Sequence, residues 1–153
     1  MTAAQIRSLA RATMLIYVVV LLALTLAPLD GINPGSAIDL HLAPFSTIRM
    51  ALRQGPGSHE FAVAIGNLAA FMPLGILLPL ITRRRSLWQV IASGAALSAA
   101  VELAQLAISA FLGFGYRTAD IDDLILNTIG AAMGFAALVL LGSIGRSDAT
   151  ARS

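Results

Sequence analysis

Seven polar side chains stand inside or beside stretches that are otherwise apolar: Asn67, Glu102, Gln105, Arg117, Asp120, Asp123 and Asn127. The carboxylates of Glu102, Asp120 and Asp123 accept hydrogen bonds and are oxygen ligands for a hard divalent cation such as Mg²⁺. The amides donate and accept, and a guanidinium presents a planar fork to phosphate or carboxylate. Spacing groups them further. Glu102 and Gln105, three apart, share a helical face, and spacings of three, four and seven put Asp120, Asp123 and Asn127 on another. Two kinds of chemistry fit such a set. One is recognition of a polar or anionic headgroup; the other is a metal-assisted phosphoryl or glycosyl transfer on a lipid carrier, with Mg²⁺ held by Glu102, Asp120 and Asp123. No recognised catalytic motif is present, and His41 and His59 stand alone in a loop segment. With no cysteine, disulfides, thiolate metal sites and a cysteine nucleophile are excluded.

The elements that must position these groups are membrane helices. Of 153 residues, 58% are hydrophobic and 12% charged, and the mean hydropathy is +0.83. A soluble domain carries about a quarter charged residues. Charge-free windows run over 12–29, 61–82 and 124–145, and a fourth, 86–116, is interrupted only by Glu102. Crossing ~30 Å of hydrocarbon takes roughly 20 apolar residues in a helix. The reading is therefore all-α, with four transmembrane helices near 11–28, 61–82, 87–111 and 122–142. None of these runs alternates as a barrel strand does. The first follows Arg7 and Arg11 and contains Thr25-Leu26-Ala27, a signal-peptide-like small-residue pattern. Pro28 comes at once and the apolar run is long, so it reads as a retained anchor.

Arginine placement orients the bundle. With the N-terminus inside, Arg7, Arg11, Arg83, Arg84, Arg85, Arg146 and Arg152 face the cytoplasm, and Arg49, Arg53 and Arg117 face out. Both termini are then cytoplasmic. The pI near 9.9 comes from arginines scattered between apolar runs, which argues against a nucleic-acid partner. Asp30, Asp39, Glu60, Asp120, Asp122 and Asp123 make the outer face acidic. The outer connection from about 29 to 60 is long, contains Pro34, Pro44 and Pro56, and holds an amphipathic segment at Phe45–Leu52; such loops usually fold over something or do something. A single domain over 1–146 and a polar tail over 147–153 complete the organisation.

Depth sharpens the site. At 1.5 Å per residue Glu102 lies about 15 Å from the outer end of its helix, and Asn67 about 10 Å from the outer end of its own. Asn127 lies roughly one turn in. All converge, on this reading, on one outward-facing pocket. Asn67, Gln105 and Asn127 also suit interhelical glue worth ~0.6 kcal/mol each. Glu102 costs ~2.5–3.5 kcal/mol near the bilayer centre, so it must be protonated, paired or wet. Asp122 points off the Asp120/Asp123 face and reads as a solvated rim charge. Pro73 cannot donate to the carbonyl of Ala69 and should bend its helix. Gly130 and Gly134 form a small-residue surface for close helix approach, within the chain or in a homo-oligomer.

These residues resemble a family. His41-Leu42-Ala43-Pro44-Phe45-Ser46-Thr47-Ile48, then Gly66-Asn67-Leu68 through Phe71-Met72-Pro73-Leu74-Gly75, then Glu102 with Gln105, then Arg117-xx-Asp120-xx-Asp123-xxx-Asn127-xx-Gly130 follow the pattern of the VanZ-like family in its order. His41 stands where an asparagine is usual. The resemblance implies a bacterial membrane protein related to one associated with resistance to teicoplanin, a glycopeptide antibiotic. It suggests an outer-face role on envelope lipids or glycans and supplies no reaction.

Overall fold

The computed structural model of the chain describes residues 2–27, 36–82 and 86–151, with side chains to Ser143. Asp30, Pro34, Arg83, Arg84, Arg85 and Arg152 lie outside the described residues. Five helices and two very short strands follow in order: α1 (Ala3–Leu26), β1 (Leu40–His41), α2 (Ser46–Gln54), α3 (His59–Thr82), α4 (Leu87–Leu112), β2 (Ala119–Asp120) and α5 (Ile121–Ala151). Helices α1, α3, α4 and the Ile121–Ser143 part of α5 are each long and apolar enough to cross a membrane. The protein is a four-helix, multi-pass membrane protein. Its surface agrees, since Leu15, Ile16, Phe111 and Leu140 are exposed on the flanks of the bundle. Apolar flanks of that kind are at home in lipid.

Local chemistry sets the helix ends. Helix α1 starts eight residues before the expected span because Thr2 and Gln5 form a capping box: Gln5 N donates to Thr2 Oγ1 at 3.3 Å and Thr2 N to Gln5 Oε1 at 2.8 Å. Ser58 caps α3, accepting from Phe61 N at 3.2 Å. Helix α4 stops at Gly113, whose φ of 76° is the left-handed C-terminal stop that glycine adopts freely. Helix α5 continues through residues 147–151, which the sequence reading leaves as a tail. Pro73 and Pro79 both lie inside α3. Beside Pro73 the Tyr17 hydroxyl donates to the carbonyl of Ala70 at 2.9 Å, one residue on from the carbonyl expected to be freed.

Helices α3 and α5 run in the same direction at very close range. A Cβ on Gly130 would sit 2.2 Å from the Leu68 carbonyl oxygen, one on Gly134 2.0 Å from that of Met72, and one on Gly75 1.9 Å from that of Ala131. Backbone thus lies against backbone along about two turns of each helix. Of the two uses open to Gly130 and Gly134, the internal one is observed: α3 of the same chain fills the surface that a homo-oligomer through these glycines would need. The apolar core lies just below, with Leu21, Phe71, Leu74, Val90 and Ala131 buried together and Tyr17, Leu97 and Phe135 against them.

The end of the bundle where α1 and α4 finish and α3 and α5 begin, here the loop end, holds the irregular chain. Residues 113–120 leave α4 and fold back along it: Tyr116 N donates to Ser109 Oγ at 3.1 Å, and Asp120 N to Glu102 Oε2 at 3.1 Å. Glu102 is about 15 Å down α4 from Leu112 at the helical rise, so non-helical backbone reaches well into the bundle. Such backbone survives at membrane depth only where protein or a wet cavity satisfies its polar groups. The 36–41 segment does part of this. Leu40 and His41 pair in parallel with Ala119 and Asp120, and Gly115 N donates to the Ser36 carbonyl at 2.9 Å. Gly115 is obligatory there, because a Cβ would meet the Ala37 carbonyl oxygen at 2.1 Å.

Candidate functional site

Building from the helix termini upward, most of the polar residues satisfy chain ends. The last carbonyls of α1 have no donors of their own and carry the negative end of the helix dipole. Gln105 Nε2 donates to the Thr25 carbonyl at 2.8 Å, the Tyr116 hydroxyl donates to the Leu26 carbonyl, and Arg117 Nη2 donates to the Ala27 carbonyl at 3.1 Å. Three side chains from α4 and the returning segment therefore close the α1 C-terminus.

At α5 the arrangement differs from the single helical face that the spacing implied. Pairing with His41 holds Asp120 extended, and the helix begins one residue later, so the 120–123 interval crosses the helix start. Asp120 is instead the cap: its Oδ1 accepts from Asp122 N at 2.8 Å and its Oδ2 from the Thr47 hydroxyl at 2.6 Å. His41 Nδ1 lies 3.7 Å from the same carboxylate. Asp123 turns toward α3, where Oδ1 accepts from Asn67 Nδ2 at 2.5 Å. Asn127 turns toward α4, buried, donating to Ser98 Oγ at 2.9 Å and leaving Oδ1 without a partner. Asn67 and Asn127 thus join helices, as the glue reading has it.

Asp122 overturns its expectation as a rim charge. It is fully buried, at 0% exposure. Its Oδ1 accepts from Phe45 N at 2.6 Å, and its Oδ2 from Thr47 N at 2.8 Å and Ile48 N at 3.1 Å. These are the first amides of α2, so the carboxylate caps a helix some seventy residues away while sitting in the first turn of α5. Both positive dipole ends favour it. Phe45, with a left-handed φ of 64° and no side-chain cap of its own, is held in that conformation by this grip. Helical-wheel reasoning gave the direction of Asp122 relative to its neighbours but not what lay there. The short helix Ser46–Gln54, packed over the start of α5, is what turns that face into interior.

The residues also divide between two cavities, where one pocket was expected. Glu102 and Asp120 lie in a cleft of about 320 Å³ whose other walls are apolar, among them Leu40, Leu42, Leu103 and Leu124. Gln105, Arg117 and Asp123 line a polar cavity of about 490 Å³ with Ser36, Asp39, His59 and Tyr116. Along the returning segment, Arg117 and Thr118 line the polar cavity and Ala119 and Asp120 the cleft. Among the described residues no three His, Asp or Glu side chains are grouped to hold a metal ion; of the three carboxylates weighed for Mg²⁺, Glu102 and Asp120 line the cleft and Asp123 the polar cavity. Several participants were overlooked in the sequence. Ser98 and Ser109 extend the Glu102/Gln105 stripe at spacings of four, a signal that was available. Tyr116, Asp39 and Thr47 carry none.

Arg117 is the group with capacity to spare. Half-buried in the cavity wall, it makes one guanidinium hydrogen bond among the described residues, to Ala27, and lies more than 4 Å from every carboxylate among them. The chain matches the VanZ/LLP1 family model over residues 14–142. It belongs to the VanZ/LLP1 family. That match takes in α3 and α4 whole, about half of α1, nearly all of the Ile121–Ser143 span and every site residue, so the VanZ-like motifs now have structural meaning: helix caps, interhelical ties and cavity lining. No curated protein and no solved structure matches the chain.

Proposed function

We propose that this VanZ-like protein binds the polar headgroup of an envelope lipid or glycan in the 490 Å³ cavity and alters how that group is presented at the outer face of a bacterial cell membrane. The observation that carries the reading is Arg117, a guanidinium in a polar cavity with one described hydrogen bond and no carboxylate within 4 Å among the described residues. A fork of donors held in place by one backbone contact is suited to an anionic oxygen pair. The cavity lies where α1 ends and α3 begins, the level at which apolar spans give way to headgroups. In this reading the arginine bias puts that end outside and both termini in the cytoplasm. Altered presentation of an envelope lipid or glycan is also a route to lowered teicoplanin susceptibility.

The test uses the full chain in lipid nanodiscs. Envelope lipid extract is expected to raise the melting temperature of the wild type by mass action. Arg117→Gln, and Val63→Phe, which fills the cavity from α3 without changing a charge, are expected to abolish the shift. Mg²⁺ and EDTA are expected to leave the wild-type melting temperature unchanged. Cells carrying Arg117→Gln should match cells lacking the protein in teicoplanin susceptibility. An undiminished lipid shift in both variants would remove the basis of the proposal.

A further inference from the structure

The polar cavity carries charges of both signs that form no ion pair with one another within 4 Å among the described residues. Arg117 lines one part, and Asp123 and Asp39 line others, together with His59 at the first residue of α3. The described ion pairs within 4 Å involve only His41, with Asp39 at 3.1 Å and with Asp120 at 3.7 Å. Asp39 is further engaged by Leu40 N at 2.9 Å. Asp123 receives one hydrogen bond, from Asn67 to Oδ1, which leaves Oδ2 without a described partner. A cation and an anion on the walls of one cavity, each held by one described side-chain hydrogen bond and not within 4 Å of each other, are not built as a structural ion pair. They make a good receptor for a ligand bearing both complementary charges. Each wall charge then gains an opposite charge on binding, and neither is left desolvated and unpaired.

Resting on the headgroup-binding reading above, we infer that the cavity selects a zwitterion of the phosphoethanolamine type, its phosphate against Arg117 and its primary ammonium against Asp123. Three points favour this class over an anionic headgroup or a quaternary ammonium. A purely anionic group would bring its charge toward Asp123 and Asp39 as well as Arg117. A quaternary ammonium has no N–H to give the open oxygen of Asp123, whereas a primary ammonium has three. The Asn67 amide occupies the other oxygen and orients the carboxylate, so the preference for a donor is built in. Because Asn67 comes from α3 and Asp123 from α5, this half of the receptor exists only in the folded bundle.

The test is native mass spectrometry of the purified full chain in detergent with phosphatidylethanolamine, phosphatidylcholine and phosphatidylglycerol of identical acyl chains. The wild type is expected to retain phosphatidylethanolamine about tenfold better than either competitor, which corresponds to ~1.4 kcal/mol of discrimination. Asp123→Asn, nearly isosteric, should bring phosphatidylethanolamine down to the level of phosphatidylglycerol, while Arg117→Gln should lower both. Val63→Phe should lower all three, and serves if Asp123→Asn fails to fold. Competition by free phosphoethanolamine would place recognition in the headgroup alone; failure to compete, with the lipid preference intact, would assign it to the lipid-borne headgroup. Equal or better retention of phosphatidylglycerol, lost in Arg117→Gln, overturns the zwitterion inference and leaves the binding site standing. Retention of no lipid, or retention indifferent to Arg117 and Val63, overturns both.

Discussion

Replacing Asp122 by alanine tests whether one buried carboxylate holds the α2 helix in place. The side chain accepts three backbone N–H groups at 2.6, 2.8 and 3.1 Å and is inaccessible to solvent. A hydrogen bond to a charged group contributes ~1.5–3 kcal/mol, and a buried donor left unpaired costs ~1–3 kcal/mol. Three such bonds to one carboxylate are not additive. Helix α2 also has an escape, because Arg49, Met50, Leu52 and Arg53 are already exposed and the segment can undock to hydrate its amides. The loss is therefore local, ~2–3 kcal/mol of docking free energy, while the four spans stay packed. Amide exchange in peptides covering residues 45–54 should accelerate about 30- to 160-fold, the factor that such a free energy implies. Exchange in α3 and α5 below Asn67 and Asn127 should change little, and the melting temperature should fall by only a few degrees. Asp122→Asn keeps one acceptor and should fall between. Asp39→Asn, an exposed carboxylate, serves as the control. Unchanged protection of residues 45–54 in Asp122→Ala would refute the capping argument outright.

Two further outcomes follow from the packing. Gly134→Leu must push α3 and α5 apart, since even a Cβ would lie 2.0 Å from the Met72 carbonyl oxygen. Overpacking costs ~1–3 kcal/mol or more, so the variant should melt well below wild type in detergent; a wild-type melting curve would show that the helix pair is not as close as described. For the Asn127–Ser98 contact, a double-mutant cycle with alanine at each position should return a coupling of ~0.6 kcal/mol and no more than ~1.7 kcal/mol, the range for interhelical hydrogen bonds in membranes. Strictly additive single variants would mean that the 2.9 Å bond contributes nothing.

The sequence alone determined the membrane class and the four spans, and it singled out the polar residues within them, and the reason is energetic. Long charge-free runs have no alternative but to span lipid as helices, and a carboxylate such as Glu102 inside one is too costly to be incidental. Ends were less legible: the Thr2 capping box begins α1 well before the apolar window does, because a helix does not stop where hydrophobicity stops. What only the tertiary structure decided is where each polar group spends its hydrogen bonds. Periodicity placed Asp120, Asp123 and Asn127 on one face, yet a two-residue strand pairing moved Asp120 off the helix, α3 claimed Asp123 and α4 claimed Asn127. The same long-range contacts split the expected pocket in two and buried Asp122, because residues 36–54 fold back onto the start of α5. No local pattern carries that information. A side chain's direction is a property of its own helix, but its partner is contributed by chain tens of residues away, and in an apolar bundle the partner determines what a polar residue does.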